Sequence, residues 1–193
     1  MTRVGITGGI GSGKTTVCRI FEALRIPVYY ADDRAKKLMQ EDDQLIRQVK
    51  EAFGEEMYDA HNRLQRQKLA DIVFNDEAEL KTLNSLVHPA VFRDGQKWAE
   101  KHQDVPYTLK EAALMFESGS YQWVDKMIVV TAPEETRIQR ITERDGSTPE
   151  QVRARMAQQM PQEEKDEKAD FLIHNDGTQL LIPQVLEIDG QLR

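Results

Sequence analysis

At 193 residues, with 33 acidic against 26 basic side chains, the chain has a formal charge of −7, a sign that argues against a dedicated nucleic-acid binder with its usual basic footprint. The length suits one globular domain with a smaller inserted lobe. The single cysteine, Cys18, rules out an intrachain disulfide and reads as a packing residue. No signal-peptide pattern precedes the first strand and no apolar run approaches the roughly 20 residues of a membrane span, so the expected compartment is the cytoplasm.

The first predicted element is a strand over Arg3–Thr7, which breaks into Gly8-Gly9-Ile10-Gly11-Ser12-Gly13-Lys14-Thr15-Thr16. Gly8, Gly13, Lys14 and Thr15 fit the P-loop spacing G-x-x-x-x-G-K-[ST]. Glycines let successive backbone N–H groups curl around anionic oxygens, and the following helix adds the positive end of its dipole. On this reading Gly9, Gly11, Ser12, Gly13, Lys14, Thr15 and Thr16 form a triphosphate cradle. Lys14 neutralises the β/γ-phosphates, and the Thr15 hydroxyl completes the shell of a Mg²⁺ ion. Val17, Ile20, Phe21 and Leu24 follow at the spacing of a helix packing one face inward.

A second strand, Val28–Ala31, ends in Asp32-Asp33. Ligands of open parallel sheets gather at the carboxyl ends of strands, so Asp32 is a candidate for contact with a ligand. Asp33 reads equally as a helix cap. From Arg34 to about Lys101 the pattern is helical and charged. One helix is marked by Leu45, Ile46, Val49, Ala52 and Phe53 with a stop at Gly54, a second by Leu69, Ile72 and Val73, and a third by Leu80, Leu83, Leu86 and Val87. Pro89 predicts a kink or restart that puts His88 on show; by itself His88 reads as a structural histidine. So long an insertion between strands exceeds what a crossover needs and reads as a substrate lobe.

Tyr107–Glu111 is the third strand, and Glu111 and Glu117 are alternative acids for the neighbourhood of a metal, or plain solvated or capping acids. Met127–Thr131 is a fourth strand buried on both faces. Pro133 suits the first position of the helix that follows. On it Arg137, Arg140 and Arg144 form either a solvated face or a phosphate clamp. Thr148-Pro149-Glu150-Gln151 begins a capping-box helix expected to reach Met160. Sparse apolar anchors mark it as a mobile lid. A charged run over 162–168, a strand over Asp170–Ile173, a turn at His174–Gly177 and a helix carrying Val185, Leu186 and Ile188 follow.

These segments together resemble the dephospho-CoA kinases, P-loop kinases of coenzyme A biosynthesis. Thr7–Thr16 is similar to the family's TGGIGSGK[ST]T, and Ala31-Asp32 to the end of its D-A-D segment. Leu64-Gln65-Arg66 through Leu69 to Phe74 is similar to its L-x-R-x-x-L-x-x-x-x-F element. His88-Pro89, Leu114-Met115-Phe116-Glu117, Arg144-Asp145, Ala169-Asp170 and Asn175-Asp176-Gly177 match its H-P, L-L-F-E, R-D, A-D and N-x-G segments in order. The resemblance implies an α/β fold: a five-stranded parallel P-loop kinase core (1–33, 104–145, 169–193), a helical dephospho-CoA lobe (34–103) and a lid (146–168). It implies transfer of the ATP γ-phosphoryl group, with Mg²⁺, to the ribose 3′-hydroxyl of dephospho-CoA. Asp32, Lys14 and Arg140 are then catalytic, Arg144 and Asn175 join the ATP site, and Asp32, Arg66 and His88 bind the acceptor. Tyr30 and Ala113 depart from the family pattern. The alternatives are a nucleoside or nucleoside-monophosphate kinase and, from a different class, a nucleotide-dependent switch protein, although no N-K-x-D guanine-reading sequence is present.

Overall fold

All five runs read as strands join one parallel sheet in the order β2-β3-β1-β4-β5. They are β1 (Thr2–Thr7), β2 (Val28–Tyr30), β3 (Tyr107–Glu111), β4 (Lys126–Thr131) and β5 (Phe171–His174). The computed structural model describes residues 1–193. They divide into two compact units, Met1–Tyr30 with His102–Arg193, and Ala31–Lys101. In the first unit β1 is central, with Ile6 in register with Glu111 of β3 and Ile128 of β4. Its carboxyl end therefore opens where neighbouring strands also end.

The alternation of side chains along each strand decides the core. Val4 and Ile6, Tyr107 and Leu109, Ile128 and Val130, and Ile173 share one face of the sheet. Against that face pack Val17, Cys18 and Phe21 of α1 (Lys14–Ala23) and Val185 and Ile188 of α9 (Leu181–Leu192). Pro183 falls in the first turn of α9, where its missing N–H costs no helical bond. Phe21 is fully buried and meets Tyr107 edge-on, with ring centroids 6.3 Å apart. Phe21→Ala is expected to cost about 3–5 kcal/mol of unfolding free energy, read as a lower midpoint in urea denaturation. A midpoint equal to the parent's would mean that the sheet and α1 are not held by this face.

The second unit contains α2 (Ala31–Glu41), α3 (Asp43–Phe53), α4 (Arg66–Val73) and α5 (Glu77–Glu100). Leu38, Leu45, Val49, Leu69, Val73, Leu83, Val87 and Val91 are its buried apolar residues. Arg34 grips Asp94 with two bonds of 2.8 Å, tying α2 to α5. Asp42 caps α3 by accepting from Leu45 N at 2.9 Å, and Gly54 ends that helix as expected. Tyr58 donates to the Met39 carbonyl at 2.7 Å, and burial pushes its hydroxyl up to about 12.

Four local expectations are corrected. Pro89 neither breaks nor restarts a helix: α5 runs through it. Only the Ser85 carbonyl loses its ladder donor, and buried Val87, Ala90 and Val91 hold the helix on both sides. Asp33 is not an N-cap, because α2 already starts at Ala31, which puts Asp32 and Asp33 in its first turn where acids complement the dipole. Pro133 stands one position earlier than expected, as the N-cap of α6 (Glu134–Asp145).

The fourth correction concerns the segment after Gly146. The expected single helix to Met160 is two, α7 (Pro149–Met156) and α8 (Gln162–Glu167), the second formed from the charged run. Thr148 and Gln151 make the predicted capping box. Val152 is the fully buried anchor of α7, packed against Ile138 and Ile141 with Ile10 and Met156 beside them. No helix of the chain is long and apolar enough to cross a membrane.

Candidate active site

At the carboxyl end of β1 the Thr7 hydroxyl donates to the Ala112 carbonyl at 2.8 Å, fixing the strand end against the segment after β3. The glycines then turn the chain through conformations that side chains avoid, with φ of 81° at Gly11 and 93° at Gly13. Space is a second constraint at Gly13, since a Cβ there would strike Asn175. The Asn175 amide donates to the Ser12 carbonyl at 2.7 Å. Lys14 closes the loop by donating from Nζ to the Gly8 carbonyl at 3.0 Å. It also opens α1, whose first turn holds no acid and leaves Thr15 and Thr16 exposed. Backbone N–H groups, a lysine and the positive end of a ten-residue helix thus meet at one point, which is an arrangement for an anion.

Arg140 of α6 reaches the same rim. Its Nη2 donates to the Asn175 carbonyl at 3.0 Å, and its Nη1 lies 3.5 Å from the Gly11 carbonyl. The structure therefore gathers Gly9, Gly11, Ser12, Gly13, Lys14, Arg140 and Asn175 on one loop and its border. Arg144 is elsewhere: its Nε donates to Asp145 at 2.6 Å, and that carboxylate holds the guanidinium pKa above its ordinary value. Its side chain is 64% exposed, so in this conformation its charge is spent on its neighbour.

Two residues that the sequence did not single out close the other side of the loop, and a third, Lys165, pairs with Glu117. Gln162 accepts from Gly9 N at 3.0 Å and Gln159 accepts from Ile10 N at 2.9 Å. Lys165, fully buried, lies 3.0 Å from a Glu117 oxygen that also accepts from Met160 N at 2.8 Å. Only an unremarkable run of polar residues announced them, because the partners are backbone groups over 140 positions away for the glutamines. Glu117→Gln strands the Lys165 ammonium without its counter-ion. It is expected to cost about 3–5 kcal/mol, measured by denaturant unfolding. Glu117→Gln with Lys165→Met should recover most of that loss, and an unrecovered double variant would deny the pairing.

Of the two acids left as alternatives, Glu117 is thus engaged by Lys165, whereas Glu111 ends β3 buried and beside β1. Burial drives the Cys18 thiol far above its ordinary value, with the Glu111 charge adding and Lys14 opposing. Cys18 is therefore neither a nucleophile nor a thiolate ligand at neutral pH. The Tyr30 hydroxyl is raised likewise, first by burial and then by Cys18, Glu22 and Glu111.

The remaining predicted residues belong to the helical unit. Asp32 is exposed in the first turn of α2, Arg66 is exposed as the first residue of α4, and His88 is exposed along α5.

The chain was compared with known proteins. The family described as dephospho-CoA kinase (CoaE) matches residues 2–180. A dephospho-CoA kinase of Salinibacter ruber is 46% identical over 180 residues, covering 92% of this chain and 90% of the relative. A solved protein of Thermus thermophilus superposes with a TM-score of 0.87 at 33% identity, covering 100% of this chain and 98% of its own. The solved dephospho-CoA kinase of Campylobacter jejuni gives 0.73 at 27% identity, covering 98% and 96%. A P-loop at the carboxyl edge of a parallel sheet, bordered by Arg140 and Asn175 and matched over nearly its whole length, places this chain in the dephospho-CoA kinase family of ATP-dependent kinases.

Proposed function

We propose that the chain transfers the γ-phosphoryl group of ATP to the ribose 3′-hydroxyl of dephospho-CoA, releasing coenzyme A and ADP, in the cytoplasm. The observation that carries the reading is the convergence of Lys14, the turn at Gly11 and Gly13, the start of α1 and Arg140 on one rim. Phosphoryl transfer asks the protein mainly for positioning and charge stabilisation, and this rim offers both.

The residues present fit a Mg²⁺ ion delivered with ATP. The chain has no cluster of three or more histidine, cysteine or acidic side chains that would cage a metal. Mg²⁺ is characteristically held by one or two protein groups together with substrate phosphates and water. The exposed Thr15 hydroxyl would be the direct ligand, with the buried Glu111 carboxylate orienting the surrounding water. When bound, the ion neutralises charge that develops on the phosphates. Lys14 leaves the Gly8 carbonyl to meet phosphate oxygens, and the N–H groups of Gly11, Gly13, Lys14 and Thr15 supply backbone donors. Arg140, backed by Asn175, steadies the nucleotide, and Arg144 would have to leave Asp145 to take part. In the helical unit, Asp32 aligns the acceptor hydroxyl and takes its proton as the phosphorus–oxygen bond forms. Arg66 and His88 hold the remainder of the acceptor.

The test is a transfer assay with ATP, Mg²⁺ and dephospho-CoA, with the product identified by mass and nucleosides and nucleoside monophosphates offered in parallel. A gain of one phosphoryl group by dephospho-CoA alone is the expected result. Transfer only to a nucleoside or nucleotide would overturn the acceptor assignment and leave the P-loop reading standing.

A further inference from the structure

Arg137 lies one helical turn before Arg140 on α6 and is only 9% exposed. Its guanidinium rests against the P-loop: a Cβ on Gly9 would collide with Nη1, and one on Gly11 would meet the Arg137 carbonyl at 2.7 Å. Despite this burial, its Nε is wholly enclosed with no hydrogen-bond partner, and the side chain stands in no ion pair. Removing a charge from water costs several kcal/mol unless a counter-charge and hydrogen bonds replace the lost hydration. Protein interiors rarely leave such a group unanswered.

The same side chain lines a cavity of about 700 Å³ formed by α6, α7, α8 and the carboxyl ends of β4 and β5. The wall's carboxylates are mostly committed. Glu134 lies 3.4 Å from Arg153, Asp166 accepts from Gln162 at 2.7 Å, and Asp176 accepts from the Thr178 amide and hydroxyl. Glu163 is exposed. Burial lowers the Arg137 pKa, and the charges of Glu134, Glu163 and Asp166 only partly oppose it. Arg137 is the buried cation of this wall, none of these carboxylates pairs with it directly, and it touches the glycine loop.

We propose that Arg137 is an anion-binding group that completes its shell with a phosphate-type oxyanion at the wall shared by Gly9 and the α6–α8 cavity. The planar fork of a guanidinium matches two phosphate oxygens, which a carbonyl or an amide would not satisfy. Two sources supply that chemistry: the γ-phosphoryl group of bound ATP, which rests on the kinase reading above, and a free phosphate entering the cavity.

The test separates them. Calorimetry on the parent, Arg137→Gln and Arg137→Lys compares ADP with the β,γ-imido analogue of ATP, both with Mg²⁺. Inorganic phosphate is then titrated into each protein already saturated with ADP. With the γ-phosphoryl group as partner, Arg137→Gln weakens the analogue roughly 10- to 100-fold and leaves ADP within about twofold. With free phosphate as partner, the ADP-saturated parent binds phosphate, Arg137→Gln does not, and the analogue is unaffected. Arg137→Lys retains part of the effect because it keeps the charge and loses the fork. Analogue and phosphate binding unchanged in both variants overturns the proposal while leaving the kinase reading intact, whereas a parent that binds neither nucleotide defeats that reading. Should Arg137→Gln not fold, the parent and Arg137→Lys decide. A parent that binds no phosphate, with an analogue affinity equal to that of Arg137→Lys, overturns the proposal.

Discussion

Lys14→Ala is expected to lower turnover by about 10³-fold or more while the protein stays folded, because the substitution deletes the mobile cation of the phosphate loop. In the unliganded chain Nζ donates to the Gly8 carbonyl across its own loop at 3.0 Å. That contact is a single part-buried hydrogen bond, so its loss should cost only about 1 kcal/mol of stability. The consequence for ligand binding is separate and larger. ATP at about 100 times its dissociation constant contributes about 2.7 kcal/mol to the parent's stability. For a chain of this size that is a rise in melting temperature of roughly 5–10 °C. Lys14→Ala should lose most of this rise while its unliganded melting temperature stays close to the parent's. A variant that still turned over within tenfold of the parent would remove the P-loop from the mechanism.

The second large effect is expected at Asp32. Asp32→Asn keeps shape and volume but removes the acceptor of the hydroxyl proton, and a positioned general base contributes about 10²- to 10⁴-fold. With both substrates saturating, kcat should fall within that range and the KM for ATP should hold. That split distinguishes an acceptor-side role from damage to the nucleotide site. Asp32 is exposed in the first turn of α2, where its side chain carries no part of a buried core. The substitution should therefore leave the unfolding midpoint within about 0.5 kcal/mol of the parent's. Turnover within a few-fold of the parent would exclude Asp32 as the base, and Asp33→Asn, at a side chain engaged with Lys36 at 3.0 Å, would then be the comparison to make.

The residues most legible in the sequence were those whose meaning is local. Gly11 and Gly13 had to be glycine because of their backbone angles, and Thr148 with Gln151 had to cap a helix because of their spacing. Strand positions were legible because parallel strands buried on both faces leave continuous apolar runs, of which Met127–Val130 is the clearest. Pro89 was misread because the cost of a proline within a helix is local, whereas the burial of Val87, Ala90 and Val91 that outweighs it is tertiary. The segment after Gly146 was misread as one helix to Met160 because the charged run that follows carries no apolar periodicity to announce α8.

By itself the amino-acid sequence determined the glycine loop, the strand before it and the helix caps, because P-loop spacing, strand runs and caps depend on residues within a few positions of each other. Its likeness to a family supplied the acceptor. Only the tertiary structure decided which distant side chains share the rim of that loop. Asn175 meets Ser12 and Arg140, Gln159 and Gln162 meet Ile10 and Gly9, and Lys165 is enclosed beside Glu117. It also separated three arginines that look alike on one helix: Arg140 on the rim, Arg144 on its own neighbour, and Arg137 buried with its Nε unanswered. Their sequence context is nearly the same. At i, i+3 and i+7 they share one helix face, so what differs is how far along α6 each stands and therefore what it meets, which is set by how α6 packs on the loop.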